Sequence, residues 1–288
     1  MRLSYYCWNP RDRRKPPLIL THGTGFVAAT FMPLARRLQP YFRVYAYDRR
    51  GHGHSEKPAA AYELADFAED CVGFCEALGL SGAYAVGHSA GGTDLLVAES
   101  RNPGLFRRIF VMEPTIDDPY LEKLPAATVD APIEAELTKT RRRRSHFPSR
   151  AHVLGRYRDK PLFRPWDPAA LEAYVADGFR DRPDGGVELQ CSPDIESRVL
   201  RPIYRTFHNA RHPDDRGEPF AAIHRVACPV AISHSALSDG IYFTLAERAA
   251  AHLPGAHRVR FDNAGHCVPQ EAPAALAEAA LGFWRSRR

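Results

Sequence analysis

Ser89 stands in Gly87-His88-Ser89-Ala90-Gly91, after the short apolar run Ala83–Val86 and ahead of residues spaced as a helix. A serine framed this way can act as a nucleophile. A sharp strand-to-helix turn strains its backbone, flanking glycines avoid crowding the neighbouring elements, and the hydroxyl projects into open space. A serine hydroxyl attacks poorly near neutral pH, so it needs a base to take its proton and a third group to orient that base. Among thirteen histidines, position selects His266, in Asn263-Ala264-Gly265-His266 just past the strand-like run His257–Phe261. Asp239, in Ser238-Asp239-Gly240 past the strand-like run Pro229–Ser233, is the expected acid. Glu113 directly follows the run 108–112 and is the alternative acid.

Attack on a carbonyl develops negative charge on its oxygen, and donors fixed in advance are worth about 3 kcal/mol each in the barrier. Ala90 N–H lies at a helix N-terminus, where it has no helical partner. The second donor is expected from His22-Gly23-Thr24-Gly25 after the first long apolar run, with Thr24 N–H preferred. This chemistry requires no metal and no organic cofactor.

The elements that must position these groups are legible as two alternating patterns. PLILT at 17–21, RVYAY at 43–47, AYAVG at 83–87 and RIFVM at 108–112 read as buried parallel strands. Between them, Ala65–Leu78 places Phe67, Cys71, Phe74, Cys75 and Leu78 on one helical face, and Ala90–Ser100 forms a second helix. Alternating strands and helices imply an α/β fold with a parallel sheet covered on both faces. From 116 to 225 the alternation stops, and charge, proline and aromatic residues mark an inserted cap with short helices such as Pro168–Ala176 and Asp194–Phe207. The expected core domain is therefore 1–115 with 226–288, which resumes with helix Thr244–Leu253, strand His257–Phe261 and helix Ala272–Arg285.

Bulk properties agree with this reading. At 288 residues, 44% hydrophobic and 25% charged, the chain is a globular protein with one large core. A formal charge of +5 is too small to imply nucleic acid, and the run Arg141–Arg144 reads as a solvated face. Met1–Trp8 lacks the pattern of a secretory signal and no stretch approaches a membrane span, so no membrane partner and a cytoplasmic location are expected. The six cysteines, without a CxxC pair, read as free thiols. A monomer or a homodimer fits equally.

Taken together, HGTG at 22, DRRGHGHS at 48, GHSAGG at 87 and AGH at 264 resemble the α/β-hydrolase superfamily. The resemblance implies a mainly parallel eight-stranded sheet, a mostly helical cap over the site and a Ser89, Asp239, His266 triad. It also makes Asp48, Arg50, Gly51, Gly53 and Ser55 structural residues of a turn, with His52 and His54 as loop residues. One departure weakens Asp239: where the family has glycine shortly before its late acid, this chain reads Ser233-His234-Ser235-Ala236-Leu237-Ser238.

Serine at position 89 disfavours the epoxide hydrolases and haloalkane dehalogenases, which use aspartate there. A carboxylic ester, lactone or thioester is the expected small-molecule substrate, with amide or carbon–carbon bond hydrolysis as alternatives on the same triad. A receptor that keeps the triad is the alternative from another class. Tyr120, Phe147, Tyr157, Phe163, Trp166, Tyr174 and Tyr204 are expected mostly in the cap core with some lining a pocket, and cap arginines are candidates to hold a substrate carboxylate.

Overall fold

Leu18, Ile19 and Leu20 are fully buried, as they must be when the two faces of one strand are both covered. The computed structural model describes residues 1–60, 62–212 and 218–286. Its first strands are β1 (Tyr5–Trp8), β2 (Pro17–Thr21) and β3 (Arg43–Tyr47), with helix α1 (Met32–Leu38) between the last two. Helix α2 (Leu64–Leu78), strand β4 (Ala83–His88), helix α3 (Ala90–Arg101) and strand β5 (Phe106–Met112) follow. After the insertion come β9 (Val230–Ser235), α8 (Gly240–His252), β10 (His257–Phe261), the single turn α9 (Val268–Glu271) and α10 (Pro273–Arg285).

Seven of these strands form one sheet in the order β1-β3-β2-β4-β5-β9-β10. Every neighbouring pair is parallel except β1 with β3. The resemblance implies eight strands; among the described residues the sheet has seven, and residues 9–16 between β1 and β2 form turns. That stretch, NPRDRRKP, carries two prolines and a positive-φ Asn9, which suit turns and remove ladder donors.

Side chains alternate across the sheet and feed two separate cores. Ile19, Ala85, Val111 and Ile232 face α2 and α3 on one side. Leu18, Leu20, Val86, Phe110 and Ala231 face α1 and α10 on the other. On α2 the expected stripe is observed, with Phe67, Cys71, Phe74 and Cys75 buried and Leu78 packed partly against them. The helix begins with a reciprocal Glu63–Asp66 capping box and ends at Gly79, whose φ of 61° suits a residue without Cβ. All six cysteines are free.

Between β5 and β9 the chain leaves the sheet and builds α4 (Asp130–Arg141), β6 (His146–Phe147), α5 (Arg150–Arg158), α6 (Pro168–Asp177), β7 (Phe179–Asp181), β8 (Val187–Leu189) and α7 (Pro193–Phe207). The three strands pair antiparallel as a separate small sheet, β6-β8-β7. Strands of two or three residues are too short to show a period, so the sequence pattern did not announce them. Phe147, Tyr157, Phe163, Trp166, Tyr174 and Phe179 pack together with Phe26 and Val27 of the sheet-edge loop. The insertion is thus fastened to the loop that carries Thr24. Among the described residues no helix is long and apolar enough to cross a membrane.

Candidate active site

Parallel pairing brings the carboxyl ends of β2, β4 and β5 level, with Thr21 beside Gly87 and Gly87 beside Val111. Loops leaving those ends therefore meet at one edge, where open α/β sheets hold their ligands. Ser89 is the junction between β4 and α3, with φ 52° and ψ −126°. That conformation costs a non-glycine residue on the order of 1–3 kcal/mol and persists only because its surroundings impose it. Ser89 N–H donates to Met112 O at 2.8 Å, and Ser89 O accepts from Gly92 N–H at 2.8 Å. A Cβ on Gly87 would meet Gly92 Cα at 2.5 Å, and one on Gly91 would meet Thr21 O at 2.5 Å. Both glycines of the motif are therefore steric necessities.

His266 sits in the loop after β10 and is held from three sides. Glu271 accepts from the two backbone amides that flank it, Gly265 N–H at 2.6 Å and Cys267 N–H at 3.1 Å. His88 Nε2 donates to the His266 carbonyl at 2.9 Å, tying the residue before Ser89 to the histidine loop. Tyr242 stacks on the imidazole at 3.6 Å between centroids and 15° between planes. Burial pulls the His266 pKa down to about 3, so the ring is neutral near pH 7.

The carboxylate bonded to that imidazole is Glu113 and not the expected Asp239. His266 Nδ1 bonds Glu113 Oε2 at 2.6 Å, whereas Asp239 is exposed at the start of α8 and makes no bond to His266. Glu113 is fully buried, and burial raises its pKa against the opposing effect of two donors. Those donors are Ser238 Oγ at 2.7 Å and Ser235 N–H at 2.8 Å, both to Oε1. Ser235 and Ser238 lie in the stretch that departs from the family's glycine pattern. The departure is thus the visible trace of a carboxylate held from β5 instead of from the loop after β9.

Ser89 and His266 line one cavity of about 220 Å³ without a direct hydrogen bond between them. The Thr24 and Ala90 amides have no hydrogen-bond partner among the described residues, and Thr24 lines the same cavity. The Thr24 loop is braced by two buried histidines whose rings meet edge to face at 5.2 Å. His52 Nε2 accepts from Gly25 N–H at 3.0 Å while its Nδ1 bonds Arg50 O at 2.9 Å. His22 Nε2 accepts from Arg49 N–H at 3.0 Å while its Nδ1 bonds Gly23 O at 2.8 Å. Burial lowers both, His52 to about 3, which keeps each ring neutral and able to accept. His52 is therefore no idle loop residue; the signal was its place between the glycines of the DRRGHGHS turn.

The rest of that turn is structural as expected. Asp48 accepts from Ala28 N–H at 2.8 Å and His54 N–H at 2.9 Å, and Ser55 Oγ donates to Asp48 O at 2.6 Å. Arg49 forms a fully buried bidentate pair with Asp94 of α3, at 2.6 and 3.0 Å. Of the insertion's aromatics, Tyr204 and Phe207 line the cavity, Tyr120 is exposed, and Phe147, Tyr157, Phe163, Trp166 and Tyr174 are core. Among the described residues, no arginine of 116–225 lines the cavity. Among the described residues no group of three His, Cys, Asp or Glu side chains is arranged to hold a metal ion.

Comparison with known proteins agrees with this architecture. Residues 18–279 match a family model described as the alpha/beta hydrolase family. A 2-(acetamidomethylene)succinate hydrolase of Mesorhizobium japonicum is 26% identical over 279 residues, 96% of this chain and 90% of that protein. A carboxylesterase of Bacillus subtilis is 28% identical over 280 residues, 95% of this chain and 81% of that protein. The crystal structure of an E-2-(acetamidomethylene)succinate hydrolase superposes with a TM-score of 0.78 at 24% identity, covering 99% of this chain and 95% of the other.

Proposed function

The chain belongs to the alpha/beta hydrolase family, and on that premise we propose that it cleaves a carboxylic ester or related acyl substrate through an acyl-enzyme on Ser89. The observation that carries this reading is the 2.6 Å bond between His266 Nδ1 and Glu113. An ionised Glu113 fixes the proton on Nδ1, which leaves the Nε2 lone pair as the base for Ser89. His266, neutral through burial, takes the Ser89 proton as Oγ attacks the carbonyl. The resulting imidazolium is stabilised by Glu113, and the oxyanion by the amides of Thr24 and Ala90. His266 then protonates the leaving group and activates the water that releases the acid. Side-chain rotation of Ser89 closes the remaining gap, as catalytic hydrogen bonds often tighten only with substrate bound.

The relatives' names support acyl chemistry, one being a carboxylesterase and the other a hydrolase of an acetamido compound. Residues 116–225 act in this reading as the cap that shields the acyl-enzyme from bulk water, and 1–115 with 226–288 as the core. Intact mass after exposure to a fluorophosphonate tests the proposal. One adduct is expected on the wild type and none on Ser89→Ala; an unlabelled, folded wild type would overturn it.

A further inference from the structure

The walls of the cavity bear on what Ser89 acts on. Helix α7 turns one stripe inward, Leu200, Ile203, Tyr204 and Phe207, at the i, i+3, i+4 and i+7 spacing of a single helical face. Phe26 and Leu162 extend that apolar surface from the core loop and the insertion. Among the described residues, no Lys, Arg, Asp or Glu lines the cavity.

Four arginines on α7 or bonded to it each have a carboxylate partner. Arg201 and Arg205, on the other side of α7, pair with Glu134 at 2.6 Å and with Glu63 and Asp130 at 3.8 Å. Arg143 is paired with Glu196, and Arg248 lies 3.6 Å from Asp118 and donates to Phe207 O. A carboxylate carried into such a cavity loses its hydration and gains no counter-ion, which disfavours binding strongly. The cavity is also small, about 220 Å³ against the ~300–1,000 Å³ of pockets that take drug-sized ligands.

We infer that the substrate is a short, uncharged, apolar acyl compound, with no carboxylate on either side of the scissile bond. The inference rests on the serine-hydrolase reading above. It sets this chain apart from its Mesorhizobium relative, whose named substrate is a succinate. Uncharged polar groups on the cavity-lining residues that are buried without a partner are Thr24 Oγ1 and His88 Nδ1.

The test compares p-nitrophenyl hexanoate with mono-p-nitrophenyl adipate, which share a leaving group and differ at the chain end by a methyl against a carboxylate. We expect kcat/KM to favour the hexanoate by more than roughly 30-fold. A smaller preference, or a reversed one, overturns the inference. Failure to hydrolyse either ester also overturns it, and fluorophosphonate labelling in the same samples then separates the two levels. Labelled Ser89 leaves the serine-hydrolase reading standing, whereas no label removes both.

Discussion

At the scale of the residue, the acid that orients His266 is decided by hydrogen bonds that no spacing rule contains. Asp239 lies past the strand where the family's late acid is sought, yet it faces solvent. Glu113, with φ 46°, turns its carboxylate under the sheet edge, where Ser235, Ser238 and His266 all donate to it. Removing the charge there should favour the wrong tautomer, because Ser235 and Ser238 donate to Oε1 and leave the amide NH2 facing Nδ1, and should take away the counter-charge in the transition state. We expect Glu113→Gln to lower kcat by on the order of 10³–10⁴-fold, while Asp239→Asn stays within about threefold of wild type. Steady-state kinetics on an ester that the wild type hydrolyses checks both. A severe loss in Asp239→Asn with full activity in Glu113→Gln would restore the sequence-based assignment.

At the scale of the element, the short turn α9 acts as a clip on the histidine loop. Glu271 holds the amides on both sides of His266 and touches nothing in the cavity. Glu271→Ala should let the loop wander by a fraction of an ångström to an ångström, enough to cost about 10–100-fold in kcat. KM should change little, because the apolar walls of the cavity are intact. The split between kcat and KM separates this positioning role from a general loss of fold, which circular dichroism would register. An unchanged kcat would show that His88 and Tyr242 hold His266 without the clip.

At the scale of the whole molecule, the site is built from histidines that burial keeps neutral, which ties stability to pH. Burial lowers His22 well below the ordinary range and takes His52 and His88 to about 3. The unfolded chain protonates them near ~6.5, before the folded protein does. Their contribution is therefore intact above ~6.5 and is lost as pH falls through the window down to about 3. The slope is ~1.4 kcal/mol per pH unit for each histidine. Burial raises Asp94, Glu113 and Glu196, which works in the opposite sense and offsets part of the loss. Thermal unfolding should give a midpoint several degrees lower at pH 5.0 than at pH 7.5. Equal midpoints would mean that these histidines take up protons without unfolding.

The parallel sheet, the helix faces, Ser89 at the strained turn and His266 at the sheet edge were all legible in the order of the residues. Each follows from local rules: strand and helix periods, and glycines where a Cβ would collide with Gly92 or Thr21. Which carboxylate meets His266 was not legible there, because β5 and β9 are adjacent in the sheet but separated in the chain by the whole insertion. The same holds for His52, whose partner at Gly25 lies across a strand, and for the cavity wall, where arginines and apolar residues of one helix part to opposite sides. Local chemistry fixes what a residue is able to do, whereas packing distant segments together fixes which neighbour it does it with.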